Sequence, residues 1–453
     1  MRRFVSPAAI LLCSQMLGIG IFLWAVGKLI PVYKPDTPGY TLFPFSSWTE
    51  SLSNPRTPGY PLFLRVVACI TPDYSAAPFM QFLAYCFGVI LFNRGLRHVC
   101  PGEWRRTAIS SSLLYSNILH GYVQDLTTDT LAAASGIGVA GLLLGRQTNP
   151  TRCWQALTAI SLATFLTCLI RPAYLFLVVF VPLTGVFLSM IRLGRADTTK
   201  RNGKKAFVEL LPVTLVPLLA YCLLRWCVVG QFGLVSFGGY NLIGLSGQWL
   251  DEKVLPELPV ASRPLAERAL KRQRLVREQT LDAHVGDRMN YTTLEMRYDE
   301  TIWHVFQPAA EELYGADNRR INTELRRLAT ALVLARPKLY ALWLAKSVRQ
   351  AVRIVVSDLV TNPVYLLLTI TCVLAQIASN LAPSVARPQP RTVEPDRASP
   401  DGSLFLLAVP YAALQLLLVI LVCPPLGRMS DAAAVLLPTI LMSFLVHRSR
   451  QRR

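Results

Sequence analysis

Of the 453 residues, 52% are hydrophobic and only 16% are charged, whereas a soluble domain carries about a quarter charged residues. That composition excludes an ordinary soluble domain and a disordered chain, and it predicts an integral, multi-pass membrane protein. The formal net charge of +19 has the size of a nucleic-acid-binding signal but not its placement, because the basic residues gather in short loops on one predicted side of a bilayer.

The first predicted span runs from Pro7 to Ile30. It follows Met1-Arg2-Arg3 like a signal peptide, but the apolar run is long and shows no small-residue cleavage site, so it is read as an uncleaved span leaving the cytoplasm. A loop from Pro31 to Leu62, rich in Pro, Gly, Ser and aromatics, is expected to be ordered by turns. Tyr60 to Ile70 is compatible with a short interfacial helix. Ser75 to Phe92 is the second span. The third, Thr107 to Val123, carries Ser110, Ser111, Ser112, Ser116, Asn117 and His120, which suits a helix facing other helices rather than lipid.

An acidic turn from Gln124 to Asp129 precedes the fourth span, Thr130 to Leu144. Trp154 to Ile170 and Ala173 to Ile191 flank the step Arg171-Pro172. The basic loop Arg192 to Lys205 leads into Phe207 to Val229. Three further spans are read at Asn362–Ala382, Ser403–Val422 and Ser430–Val446, with a Pro- and Arg-rich linker after the first of these. Short segments on the predicted cytoplasmic side hold arginine clusters such as Arg94, Arg97, Arg105 and Arg106, whereas those opposite hold Lys34, Arg56, Arg65, Arg171 and Arg428. This positive-inside bias places both termini in the cytoplasm and implies no nucleic acid partner.

The predicted fold class is all-α: a polytopic membrane helical bundle of about ten transmembrane helices with a helical non-cytoplasmic domain. Residues 1–229 form an N-terminal transmembrane module with the first outer loop, 230–361 a large non-cytoplasmic helical domain of nearly balanced charge, and 362–453 the C-terminal transmembrane helices. Within the middle unit, Leu265 to Leu281 and Asn318 to Leu334 have helical spacing. Ten cysteines contain no CxxC pair, and the five histidines are scattered, so no zinc site or disulfide framework is legible. Cys13, Cys86, Cys168, Cys222 and Cys372 read as small apolar residues inside spans. Asn290-Tyr291-Thr292 is a glycosylation sequon only in a secretory pathway.

Transporters tend to place ionisable groups in the middle of the membrane. Here they gather at the non-cytoplasmic ends: Asp36, Glu50, Arg56, Asp125, Asp129, Arg171 and Arg428. That placement suits chemistry on a lipid-linked substrate. No P-loop or Rossmann glycine motif is present. One local repeat stands out, Asp36-Thr37-Pro38-Gly39-Tyr40 and Arg56-Thr57-Pro58-Gly59-Tyr60, spaced by 20 residues.

The long first outer loop with Asp36 and then Arg56-Thr57-Pro58-Gly59-Tyr60-Pro61 resembles the C-type membrane glycosyltransferases. More narrowly it is similar to the branch containing the aminoarabinose, protein O-mannosyl and lipopolysaccharide-core transferases. Leu126-Thr127-Thr128-Asp129-Thr130-Leu131, Leu169-Ile170-Arg171-Pro172 and Pro424-Pro425-Leu426-Gly427-Arg428 follow in the order of that family's pattern, with Leu436-Leu437-Pro438 further on. The segment 230–361 matches no motif of the family.

The resemblance implies transfer of a sugar from a polyprenyl-phosphate donor to an acceptor glycan, lipid or protein at the non-cytoplasmic face, with inversion. It further implies a setting in a bacterial inner (plasma) membrane, with the site facing the periplasm or exterior. It implies Asp36 as general base, with Glu50 in reserve, and Arg56, Arg428, Arg171 and, more weakly, Lys34 as donor-phosphate ligands. Asp125 and Asp129 are candidates for orienting the acceptor or holding a divalent cation. Each residue also has a plain structural reading. Asp36 caps a turn, the arginines snorkel at helix ends, Asp129 caps the fourth span, and Tyr40, Tyr60 and Trp48 are interfacial aromatics rather than sugar platforms. The alternative function is a non-enzymatic glycolipid flippase or transporter.

Overall fold

A computed structural model describes residues 6–146, 153–191, 196–279, 291–381 and 400–451. Among them there is no strand; Val32 and Asp125 form an isolated parallel bridge. The chain is an all-α polytopic membrane bundle, as predicted. Helices stand at each predicted span, and six of them are long and apolar enough to cross a bilayer: Pro7–Ala25, Ala77–Leu96, Pro172–Met190, Gly203–Val229, Gly402–Ile420 and Gly427–His447. Asn318–Ala335 and Pro337–Thr361 form a further apolar pair bent by 96°. The sequon asparagine and most of the Pro- and Arg-rich linker lie outside the described residues.

The first helix shows how such a helix is specified. Ser6 caps it by accepting from the Ala9 amide at 3.3 Å, and Pro7 opens it. It carries no charged residue from Pro7 to Ala25. Ala8, Leu12, Met16, Ile19 and Leu23 are buried at helical spacing against the bundle. Leu17, Ile21 and Trp24 on the remaining surface are exposed, which a lipid environment tolerates and water does not.

The helices Ala77–Leu96 and Asp129–Arg146 are in backbone contact. A Cβ at Gly95 would collide with the Gly141 carbonyl, and one at Gly141 with the Phe92 backbone. Lipid gives no hydrophobic drive between helices, so close approach through small residues supplies the packing.

Two sequence expectations are corrected. The predicted third span is broken into Glu103–Ser111, a 3₁₀ turn Ser112–Tyr115 and Asn117–Tyr122. Side chains from neighbouring helices take up the carbonyls freed at the break. Tyr365 donates to Ser112 at 3.2 Å, Tyr85 to Leu113 at 2.9 Å and Asn362 to Tyr115 at 2.8 Å. Its polarity therefore reflects a broken, protein-facing segment. The basic stretch read as a loop before the seventh span is helical from Ala196, in a helix that runs to Val229. Within the unit 230–361, Pro337–Thr361 is a 25-residue helix with exposed Val348, Val352, Val356 and Val360 along one side.

A second apolar core gathers Tyr240, Ile243, Trp249, Leu265, Leu294, Phe306, Leu325, Leu328 and Trp343 with Val419 and Cys423. Trp343 donates to the Ile420 carbonyl at 3.0 Å and Tyr340 to Leu421 at 2.9 Å. This ties the segment after residue 230 to the end of the Pro400–Ile420 helix, just before Pro424.

Candidate active site

The loop after the first helix is fixed at its start by backbone pairing. Val32 donates to Gln124 at 2.8 Å and accepts from Leu126 at 3.0 Å. Thr37, fully buried, accepts from the Lys34 amide at 2.8 Å and donates to the Leu126 carbonyl at 3.1 Å. These contacts hold the turn carrying Asp36 against the acidic turn before Asp129. Arg56 is set by a second local device, its amide donating to the Asn54 side chain at 2.8 Å.

Asp36 lies between two guanidinium groups. Its Oδ1 accepts from Arg56 Nη2 at 2.7 Å, and its Oδ2 faces Arg428 Nη1 at 3.5 Å. The Arg56 guanidinium also lies 5.1 Å from the Tyr40 ring centre and 5.6 Å from that of Phe237, within the range of cation–π attraction. Burial pushes the Asp36 carboxyl up, but Arg56, Arg428 and the more distant Arg171 outweigh it and hold it below its ordinary value of 3.8. It is therefore an ionised carboxylate at neutral pH.

Arg171 is placed differently. It is an extended residue between Cys153–Ile170 and the 3₁₀ turn Pro172–Phe176. It pairs with Asp129, and its Nη1 donates to Thr128 at 3.1 Å. Thr127 donates to the other Asp129 oxygen at 2.9 Å. Gly59 packs on the Leu169–Ile170 backbone so closely that a Cβ there would collide with it, which brings the Arg171 step beside the Arg56 motif. Lys34 pairs with Asp125 at 3.4 Å. Burial pushes the Asp125 carboxyl up, against the opposing pull of Lys34.

Exposure separates these pairs. The side chains of Arg56 and Asp36 are 25% and 33% exposed, so water partly screens this ion pair. Those of Arg171 and Asp129 are 10% and 1% exposed, and removing one partner of such a pair costs about 3–5 kcal/mol. The first pair is partly open to solvent, whereas the second is enclosed by the fold.

The structure thus brings Asp36, Arg56 and Arg428 together, sets Arg171 and Asp129 behind them, and pairs Lys34 with Asp125. Glu50 is not brought in; it is exposed in the first turn of Trp48–Ser53, without an ion-pair partner among the described residues. Asp125 and Asp129 face cations rather than each other, and no group of three metal-ligating side chains occurs among the described residues. Tyr40 and Tyr60 are buried, and Trp48 is 80% exposed.

Two contributors were not legible in the sequence. Phe237 reaches Arg56 from the segment after residue 230, and nothing in its local sequence marks it. Arg225 is 1% exposed; it donates from Nε to Leu52 at 2.8 Å, from Nη2 to Ser236 at 2.9 Å, and also to the Gly233 carbonyl. It thereby joins the chain just before Arg56 to the residue beside Phe237. Its signal was an arginine deep in an apolar run.

No family model matches the chain, and no curated protein matches it. Among solved structures it is similar to ArnT from Cupriavidus metallidurans in the apo state, at 13% identity and a TM-score of 0.35, over 98% of this chain and 78% of that one. The same protein bound to undecaprenyl phosphate is similar at 13% identity and a TM-score of 0.35, over 97% and 78% of the two chains.

Proposed function

We propose that the chain is a C-type membrane glycosyltransferase that moves a sugar from a polyprenyl-phosphate donor to an acceptor at the non-cytoplasmic face, with inversion. The observation that carries this reading is the contact of Asp36 with two partly exposed guanidinium groups, one at each carboxylate oxygen. The ordered motifs around Asp36, Arg56, Asp129, Arg171 and Arg428 agree with it, and the positive-inside distribution of the short loops supports the face.

In this reading Arg56 and Arg428 bind the donor phosphate, because guanidinium forks match phosphate oxygens and the Asp36 pair yields at little cost. Losing both partners returns the Asp36 carboxylate towards ordinary basicity at the moment it is needed. Asp36 takes the proton of the acceptor hydroxyl as that oxygen bonds to the anomeric carbon. The bond from that carbon to the phosphate oxygen breaks on the opposite face, and the phosphate leaves with the electron pair, its charge met by the two arginines. Arg171 and Asp129 keep the floor of the site in place.

The test is Asp36→Asn, which keeps the shape and an acceptor oxygen for Arg56 but cannot take a proton. Membranes carrying the variant, supplied with polyprenyl-phosphate sugars, should transfer about 10²–10⁴-fold more slowly while donor binding persists. Transfer at an undiminished rate would remove Asp36 from the mechanism. Donor translocation without glycoside formation would replace the enzyme with a flippase.

A further inference from the structure

The segment after residue 230 touches the site through Phe237, and Phe237 does not stand alone. Its ring stacks on Tyr240 with centres 5.2 Å apart and planes at 16°. Tyr240 stacks in turn on Trp303 at 5.9 Å and 26°, and Phe237 also meets Trp303 at 6.2 Å. Tyr240 is buried, with its hydroxyl donating to Asn318 at 3.3 Å, while Trp303 is 41% exposed. The three rings therefore form one cluster, in contact with the Arg56 guanidinium through Phe237 and reaching the surface at Trp303.

Two features set this indole apart from a membrane anchor. It lies in a π-helical stretch, Thr301–Phe306, a rare geometry that recurs at functional sites. Its neighbours along and about one turn away on its helix are Asp299, Glu300, His304 and Gln307, all with accessible surface. The lipid-type surfaces of this chain look different, with valines at every fourth position, as in Val348, Val352, Val356 and Val360. An exposed indole on a helix whose nearby accessible positions carry carboxylates and an imidazole matches a ligand with an apolar face and a polar rim. A pyranose ring is such a ligand. Its axial C–H groups point at the electron-rich face of the indole, and its hydroxyls reach acceptors around it.

We infer that Trp303, braced by Tyr240 and Phe237, binds a sugar ring of the acceptor and thereby aims the acceptor hydroxyl at Asp36. The acceptor is then a carbohydrate, either a free glycan or a glycolipid headgroup, and not an unglycosylated peptide. The inference rests on the proposed transferase reading for its function but not for its binding. Trp303 is a binding residue; Phe237 links its position to Arg56.

The test measures binding and transfer separately on the full chain in lipid nanodiscs. Neutral and acidic oligosaccharides, a lipopolysaccharide core oligosaccharide and an unglycosylated Ser/Thr peptide are titrated without donor, with saturation-transfer NMR as readout. At least one saccharide should bind and the peptide should not. Trp303→Ala should weaken that saccharide at least tenfold, and Trp303→Phe should recover part of the loss; equal thermal midpoints for both variants would show that the fold is intact. In transfer assays Trp303→Ala should raise the acceptor KM and leave the donor KM unchanged. Asp36→Asn should lose transfer while saccharide binding stays dependent on Trp303, so a failed transferase reading and a failed sugar platform give different results. Saccharide binding that is absent, or indifferent to Trp303, would overturn the inference, as would a Trp303→Ala effect confined to lipid partitioning. If the binding saccharide is also the best acceptor in its lipid-linked form, the source is a glycolipid; if the free form serves equally, it is a soluble glycan.

Discussion

Asp36 and Arg56 hold the same place in two copies of one short sequence, each followed by Thr-Pro-Gly-Tyr, and their side chains meet at 2.7 Å. The rest of the repeat pairs in the same way. Thr37 and Thr57 are both buried, Pro38 and Pro58 both open helical turns, and Tyr40 and Tyr60 meet edge to face at 5.1 Å. Gly39 lies under Arg56, where a Cβ would come within 3.3 Å of its Nε. The two copies fold as partners, so the divergence of their first residues into an acid and a base creates the centre of the site.

The two arginines at Asp36 should affect donor use more than chemistry. Arg56→Gln and Arg428→Gln are each expected to raise the donor KM about tenfold or more, the loss of a charge-assisted contact of about 1.5–3 kcal/mol. The acceptor KM should hold steady. Steady-state kinetics with each substrate varied in turn would show this, and a donor KM indifferent to both changes would assign the phosphate to other residues.

The depressed Asp36 value gives a pH signature. A carboxylate whose value is lowered by folding stabilises the native loop above its unfolded value, and that contribution is lost as pH falls through the lowered one. The free protein should therefore keep this loop closed through mildly acidic pH and release it only below the ordinary carboxylate range. Once donor phosphate occupies Arg56 and Arg428, the carboxylate rises. The acid limb of kcat should then lie at higher pH than that of kcat/KM, since the two report the bound and free enzyme. Coincident limbs would argue against any exchange of arginine partners.

The Arg171 and Asp129 pair is expected to act on stability. Arg171→Met strands a nearly buried carboxylate, at a cost of about 3–5 kcal/mol. Adding Asp129→Asn should restore much of that loss without restoring activity. Thermal unfolding followed by size-exclusion chromatography in detergent would report both variants, and a double variant as unstable as Arg171→Met alone would contradict the pairing.

The glycine contact between Ala77–Leu96 and Asp129–Arg146 can be probed with one methyl group. Gly141→Ala meets the Phe92 backbone, while Gly18→Ala on the first helix meets nothing within 4 Å. The first should cost about 1–3 kcal/mol, typical of overpacking, and the second should be neutral or slightly stabilising in its helix. Comparable thermal midpoints for the two variants would mean that the helices do not approach as closely as described.

Much of the site is legible in the amino-acid sequence. Asp36, Arg56, Arg171 and Arg428 stand out because each ionisable group sits at the end of an apolar run, and charge is scarce in this chain. The break in the third span is visible there only as polarity, since the carbonyl partners Tyr85, Asn362 and Tyr365 come from other helices. Phe237 is silent and Arg225 is marked only as a charge within an apolar run, because their partners lie far along the chain, Arg56 for one and Leu52 for the other.

Membrane insertion and orientation follow from local terms. The transfer free energy of some 20 residues adds up along the chain, while the lysine and arginine bias of short loops sets an expected orientation, and so the sequence by itself determined the helical membrane bundle and the gathering of charge at span ends. Which acid meets which arginine depends on how those ends pack. Only the tertiary structure divided the cations into a partly exposed set at Asp36 and a buried one at Asp129, because packing sets which ion pair water can reach. It alone brought Trp303 and its stacked rings to the edge of that centre.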